Sequence, residues 1–442
     1  MGMDDISVKP RDHARAIWNA AVDAVRPEPL VRRAVADLGD ELLAAPRILV
    51  LGAGKAGAAM AEAVELALAD RLDSVEGILN VPADAVKPLK KIRLHAARPP
   101  ATNFPTPAGV SGAEEMLRLA RSAGPNDIAL CLLSGGGSAL LPAPADGVSL
   151  ADKRAVTKLL HQCGATINEM NAVRKHLSAI KGGRLAQAFT GKTIHSLIIS
   201  DVIGDPLDVI ASGPTAADAS TFADALSILN RFRLCDRVPA SVLAHLQTGA
   251  AGKIAETPKA LPGNVHNRIL GNNAHALAAA EAGAKQLGYH VLNLGSFIEG
   301  ETRHVATMHA GIIRSICEQS IPLSAPVCVL SGGETTVTLT ANPGKGGRNQ
   351  EFVLAALLKM GPAPRVVILS GGTDGEDGPT DAAGAIADAS TFERALALGL
   401  NGWDFLARND AYPFFQATGD LLITGLTQTN VMDVRAFLVG AK

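Results

Sequence analysis

The stretch RILVLGAGKAG, residues 47–57, joins a short aliphatic run to a loop holding three glycines and a lysine. A run of this length, nearly continuous in apolar character, reads as a strand buried on both faces. The glycines suit a tight strand-to-helix turn, and the Ala-rich 56–70 continues as a helix. Outward from it the same unit recurs. Strands are expected at 47–51, 77–81, 128–133, 193–200, 289–294, 326–330 and 365–370, and helices at 56–70, 109–123, 150–163 and 273–287. Such alternation predicts an α/β fold with mostly parallel sheets. TPKALPGNV at 257–265 collects two prolines and a glycine, so domains are expected over 1–258 and 259–442.

Composition narrows the function. The 442 residues include 41 Lys+Arg against 43 Asp+Glu, a formal net charge of −2. That balance offers no basic field for a nucleic acid or an anionic membrane. Only 11 Phe, 2 Trp and 2 Tyr are present, too few for stacking platforms along a single strand. A 47% hydrophobic share with 19% charged residues supplies large cores and excludes wholesale disorder. The 5 cysteines form no CxxC pair, and the 11 histidines contain neither HExxH nor HxH. Reduced thiols in a cytoplasmic protein, with no zinc site, are therefore expected. No run of about 20 apolar residues occurs. Neither a secretory h-region nor a myristoylation pattern opens the chain, which has Ile6 where the latter needs Ser or Thr.

Leu-Ser-Gly-Gly occurs at 133–136, 330–333 and 369–372, each time after an apolar strand, and Gly52–Gly57 and Ser200–Asp205 follow strands likewise. Loops of this kind at strand ends build the ligand crevice of open α/β sheets. Their backbone N–H groups suit phosphate or carboxylate oxygens. Gly54, Ser134, Gly135, Gly136, Gly137, Ser138, Ser331, Gly332 and Gly333 are the candidate ligand-binding positions there.

GAGKAG formally matches the dinucleotide fingerprint, which needs a ribose-binding acid at the end of the second strand. That strand ends near Asn80-Val81, and the nearest acid beyond is Asp84. Gly191-Lys192-Thr193 resembles part of a phosphate loop, but a helix over 178–189 is expected before it and a strand after, the reverse of the required order.

A lysine at a helix start opposes the dipole unless an anion is near, which singles out Lys55. Arg348, opening the helical run after Gly346-Gly347, offers a planar fork for phosphate or carboxylate. Its neighbour Asn349 joins the candidates. Acids cluster at Asp201, Asp205 and Asp208, and again at Asp374, Glu376, Asp377 and Asp381. Their spacing fails the EF-hand pattern but is compatible with Mg²⁺, which takes one or two carboxylates plus phosphates and water. Asp201, Asp205 and Asp374 are the candidate ligands. Glu334 follows the second Leu-Ser-Gly-Gly directly. Between 171 and 184 one helical stretch is expected to carry Arg174 and Lys181 on one face, for an acidic substrate or for solvent. No Gly-x-Ser-x-Gly elbow marks a hydrolase.

These segments together resemble the class II glycerate 2-kinase family, whose C-terminal half is the MOFRL domain. The resemblance runs through GAGKAGAAM (52–60), LSGGGSALLPAP (133–144), NAVRKHLSAIKGGRLA (171–186) and SDVIGDPLDVIASGPT (200–215). It continues through LSGGETTVTL (330–339), GKGGRNQEF (344–352), SGGTDGEDGPTDAAGA (370–385), NDAYPFF (409–415) and TNV (429–431). It implies a Rossmann-like N-terminal domain, a C-terminal MOFRL α/β domain, and a site enclosed by the two. The implied reaction is ATP-dependent phosphorylation of the 2-hydroxyl of D-glycerate, with Mg²⁺. Lys55 and Arg348 map onto the family's essential lysine and arginine. Asp201 or Glu334 would take the hydroxyl proton, and Arg174 and Asp374 would bind ligand. No nucleic-acid or membrane partner is implied, and a homodimer is left open. The chain departs from the family's His-Pro-x-Pro-Asp at 103–107, and from Gly-Pro-Thr-Gly-Thr-Asn-Val at 425–431, where it reads GLTQTNV. An NAD(P)H-dependent hydroxypyruvate reductase and a non-catalytic small-anion sensor are the rival readings.

Overall fold

The structure, a computed structural model, describes residues 10–100, 102 and 104–441. The readings made of residues 1–9 and of Asn103 lie outside the described residues. The chain forms two compact units, Pro27–Leu270 and a second made of residues up to Arg26 with those from Gly271 onward. The junction expected at 258/259 therefore shifts, for two reasons. Val265 and Ile269 pack on the core of the first unit, so the strand they belong to stays with it. Helix Pro10–Asp23 joins the second unit, burying Ile17 and Trp18, while the Trp18 indole N–H donates to the Gly371 carbonyl at 3.3 Å.

The first unit holds a six-stranded sheet of β1 (Ile48–Ala53), β2 (Val75–Pro82), β3 (Ile92–Arg98), β4 (Ile128–Leu133), β5 (Thr193–Ile199) and β6 (Val265–Gly271). The order is β3-β2-β1-β4-β5-β6, and the β1–β2, β1–β4, β2–β3 and β4–β5 pairings are all parallel. β1, β4 and β5 are buried along their whole length, as strands covered on both faces must be. Strand order reverses between β1 and β4, and the carboxyl ends of those two strands are where such a sheet opens a ligand crevice. Four helices, Leu150–Gln162, Ile167–His176, Phe222–Arg231 and Ala240–Ala250, close a separate apolar cluster around Val173, Phe222 and Leu246. Three of them start at capping boxes on Ser149, Thr166 and Thr221.

The second unit contains β7 (His290–Asn293), β8 (Gly300–Glu301), β9 (Val327–Gly333), β10 (Thr335–Thr336), β11 (Val366–Gly372), β12 (Gly384–Asp388), β13 (Leu421–Leu422) and β14 (Asp433–Val439). Its main sheet runs β13-β12-β11-β14-β9-β7. Only β7–β9 is parallel there. The parallel character is thus complete in the first unit and mixed in the second, where β14 inserts antiparallel between β9 and β11. Helix Arg348–Met360 covers this sheet with Phe352, Val353 and Leu357 in the core. Among the described residues no helix is long and apolar enough to cross a membrane.

Candidate active site

In the first unit, the turn after β1 and the turn after β4 are stitched together. The Lys55 N–H donates to the Gly135 carbonyl at 2.8 Å, and the Ala56 N–H donates to Ser134 Oγ at 3.1 Å. Only glycine fits at position 54. Its φ is +154°, and a Cβ there would lie 1.9 Å from Ser134 Oγ. Lys55 is exposed at the rim of this double turn. Gly136 takes a left-handed φ of +76°, and a Cβ there would lie 3.2 Å from an Arg98 guanidinium nitrogen. Arg98 ends β3 and is buried. Sequence reading missed it because β3 alternates apolar and polar residues instead of forming an aliphatic run.

The cations of 171–184 do not share one helix. Helix Ile167–His176 ends after Arg174, and a second helix runs only over Arg184–Ala188, so the helix expected over 178–189 is reduced to its end. The break is local in origin, since Gly182 and Gly183 both adopt positive φ. Arg174 and Lys181 nevertheless meet at one residue, Ser138. Arg174 Nη2 donates to Ser138 Oγ, and Lys181 Nζ donates to the carbonyl and hydroxyl of Ser138 at 2.9 and 3.1 Å. Lys175 points elsewhere, to Asp208 at 2.9 Å and Asp218 at 3.3 Å. Asp201 and Asp205 follow β5 and are half-buried.

In the second unit, the two Leu-Ser-Gly-Gly copies lie within strands rather than in loops. They flank β14 symmetrically. Ser331 and Ser370 face Arg435, Gly332 and Gly371 face Val434, and Gly333 and Gly372 face Asp433. Ser331, Gly332 and Gly333 are buried, which corrects their expected place in an open loop. Side chains need this room, since a Cβ on Gly332 would meet Asn273 Oδ1 at 1.7 Å. Ser331 Oγ lies 2.8 Å from His309 Nε2, and His309 Nδ1 lies 2.8 Å from the Val305 carbonyl. In the neutral imidazole the proton sits on Nδ1, donating to the Val305 carbonyl, while Nε2 accepts the Ser331 hydroxyl. Burial, with added repulsion from Arg435, pushes the imidazole down to about 4.

Arg348 opens its helix, as expected, and is held on two sides. Its Nε and Nη2 donate to the two oxygens of Asp433 at 2.7 and 3.0 Å, and its Nη1 lies 3.0 Å from Glu334. Arg435 approaches the same Asp433 at 3.1 Å. Burial alone would raise the Asp433 carboxyl, but Arg348 and Arg435 pull it below the usual carboxylate range. Asn349 Nδ2 donates to Asp433 Oδ1 at 2.8 Å, so Asn349 serves this network. Asp377 caps the helix, accepting the Asn349 and Gln350 N–H groups at 3.0 and 2.8 Å. Burial pushes it up to about 7 despite those two bonds. Asp374 is half-buried in the turn after β11, and its carbonyl accepts the Thr427 N–H at 3.2 Å. Asp433 escaped sequence reading. The signal for it was an acid and a base two residues apart in an apolar run, hence on one face of a strand.

Asp201, Asp205 and Asp374 are hard oxygen donors of the kind Mg²⁺ prefers. Among the described residues, however, no three such groups come together as a metal centre.

Comparison with known proteins completes the picture. Residues 13–247 match a domain of unknown function, DUF4147, and residues 327–433 match the MOFRL family. The chain is 38% identical to a glycerate 2-kinase of Pyrococcus horikoshii over 436 residues, covering 99% of this chain and 96% of that protein. It is 41% identical over 441 residues to an Agrobacterium vitis protein named, provisionally, a hydroxypyruvate reductase, covering 100% and 96%. A solved glycerate kinase from Thermotoga maritima superposes with a TM-score of 0.86 at 35% identity, covering 97% of this chain and 99% of that one.

Proposed function

The chain belongs to the glycerate kinase family, and from that premise we propose that it transfers the terminal phosphoryl group of ATP to the 2-hydroxyl of D-glycerate, releasing 2-phosphoglycerate and ADP. The observation that supports this reading is full-length likeness, in sequence and in fold, to proteins named glycerate 2-kinase and glycerate kinase. Phosphoryl transfer asks little covalent chemistry of a protein, because positioning and charge neutralisation supply most of the effect. Lys55 and Arg348 are assigned to neutralise charge on the transferred group. The double turn around Gly54 and Gly136 is assigned to hold an oxyanion. Asp201 or Glu334, the latter also paired with Arg348, is proposed to accept the hydroxyl proton. Mg²⁺ would be held by the nucleotide phosphates with one or two of Asp201, Asp205 and Asp374, and would offset phosphate charge.

The test is ADP release that depends on D-glycerate in the presence of ATP and Mg²⁺, with the product identified as the 2-phosphate. Lys55→Ala is expected to lower turnover by at least about 100-fold, the scale of removing a pre-set donor at developing charge. Near-normal turnover would remove Lys55 from the mechanism. The reductase reading rests on GAGKAG and on the name of one relative. Asn80 lies near the end of β2, where a ribose-binding acid is required. It is spent within the fold, donating to the Gly109 and Leu140 carbonyls at 2.9 and 2.7 Å. Hydroxypyruvate-dependent NADH oxidation without ADP release would reverse the assignment.

A further inference from the structure

We propose that Arg174, positioned by Ser138 and Lys181, forms a dedicated oxyanion site of the first unit. The inference rests on the kinase reading only for the identity of its ligand. Its basis is a charge imbalance inside a fully directed hydrogen-bond network. Ser138 Oγ accepts from Arg174 Nη2 and Lys181 Nζ, so its own proton must go to Ser212 Oγ, 2.8 Å away. Ser212 in turn donates to Asn171 Oδ1 at 3.1 Å. Every proton in the chain has one place to be.

The network is held under backbone strain. Ala211, Ser212 and Gly213 run consecutively in the left-handed region, at φ of 51°, 61° and 62°. A non-glycine residue there is strained, and such strain persists only where neighbours fix it. The neighbours are Lys181-Gly182-Gly183. Lys181 Nζ donates to the Ala211 carbonyl at 3.1 Å. The Gly182 and Gly183 N–H groups donate to the Ser212 and Gly213 carbonyls at 3.0 and 2.7 Å. This clamp sets Ser212, and Ser212 sets Ser138.

What the cluster lacks is negative charge. Lys175 has two carboxylates, whereas Arg174, Lys181 and Lys153 donate only to carbonyl, amide and hydroxyl oxygens among the described residues. Burial, then repulsion from Arg174, Lys153 and Lys175, drives Lys181 well below the usual lysine range. Lys153 is displaced the same way. Gathering like charges without counterions is unfavourable unless a ligand completes them. Arg174 is half-buried and able to touch that ligand, whereas Ser138, its proton committed to Ser212, and Lys181, 1% exposed, hold the guanidinium in place. A guanidinium fork fits a carboxylate or a single phosphate group. Under the kinase reading these are the acid group of the hydroxy acid or one phosphate of the nucleotide.

The experiment follows thermal unfolding of the full chain with increasing D-glycerate, inorganic phosphate or ATP, each alone, in wild type and Arg174→Gln. The unfolding temperature of wild type is expected to rise with at least one anion, and Arg174→Gln to weaken that binding about 10- to 100-fold. Loss with D-glycerate identifies the carboxylate source; loss with ATP and phosphate identifies the phosphate source. Should Arg174→Gln not fold, Ser138→Ala reads the same binding and is expected to weaken it. Lys181→Met is expected to weaken anion binding and Lys181→Arg to restore part of it, a rescue that a merely structural lysine would not give. Wild type that responds to no anion, or responds equally without the Arg174 guanidinium, overturns the proposal. These readouts need no turnover, so an enzyme that binds anions through Arg174 but releases no ADP would discard the kinase reading alone.

Discussion

Arg174 and Arg348 occupy comparable places, each at a helix end beside a segment rich in small residues, yet their surroundings differ in sign. Arg348 faces two carboxylates, one of them fully buried and shared with Arg435. Arg174 faces serine and asparagine oxygens, with two buried lysines close enough to repel it. In the second unit the protein supplies the counter-charge itself, and the arginine is fixed before anything binds. In the first unit the counter-charge is left to come from outside. A matched network is broken by removing a partner. An unmatched one is relieved by removing a charge, or satisfied by adding an anion.

The largest effect is therefore expected at the matched end. Asp433→Asn leaves Arg348 and Arg435 without their shared carboxylate in a fully buried strand. Breaking one side of a buried pair costs about 3–5 kcal/mol. Urea unfolding should show that loss, together with a fall in turnover as Arg348 loses its orientation. A loss below about 1 kcal/mol would mean that Asp433 is not the anchor the geometry indicates.

Next in size is an acid-dependent loss in the same unit. His309 is neutral when folded, with a pKa of about 4 against an ordinary 6.5. The unfolded chain therefore binds the proton first, and the contribution present above pH 6.5 is lost as pH falls toward 4. The slope for one such group is about 1.4 kcal/mol per pH unit. Unfolding free energies measured at steps across that window should lose this slope in His309→Phe, which cannot titrate. An unchanged slope would assign the acid sensitivity to other groups.

The unmatched end predicts the opposite sign. Lys153 is buried and, among the described residues, its ammonium donates only to the Leu177 carbonyl, at 3.0 Å. Lys153→Met removes a charge that burial and Arg174 both penalise, and should stabilise the anion-free protein by about 1 kcal/mol. Destabilisation beyond about 2 kcal/mol would show that the charge is compensated after all and would erase the contrast between the units.

This contrast also explains what the sequence could and could not tell. Buried aliphatic strands such as 128–133 announced themselves, and the loops at 52–57 and 134–138 stand where strand ends placed them. β14 did not, because Asp433 and Arg435 interrupt its apolar pattern, and only tertiary pairing makes those charges tolerable in a core. β3 failed for a related reason, since an edge strand with one exposed face carries Arg93 and His95. The spacing of Arg174 and Lys181 suggested a shared helical face, and they do converge. The cause is a glycine-driven helix break and a common serine, which no periodicity encodes. The Leu-Ser-Gly-Gly repeat was visible, but its meaning differed between units. It forms a turn after β4, stitched to the turn after β1, and room for packed side chains in β9 and β11.

The smallest expected effect separates two kinds of strained backbone. Ala211 and Ser212 are buried, clamped by Lys181-Gly182-Gly183, and part of the Ser138 network. Gln428, at φ 63°, is exposed in the loop where this chain departs from the resembled Gly-Pro-Thr-Gly-Thr-Asn-Val pattern. Glycine adopts that conformation without the Cβ penalty, though it gains more freedom when unfolded. The two terms nearly offset, so Gln428→Gly should stabilise by roughly 1 kcal/mol or less. If the strain at Gln428 serves only the loop, the KM for D-glycerate and for ATP will stay within about twofold of wild type, a change worth under half a kcal/mol. A KM shift in one substrate but not the other would instead place Gln428 at the ligand, held there at the expense of stability. The loop would then be a second strained element serving binding, like the turn at Ala211–Gly213.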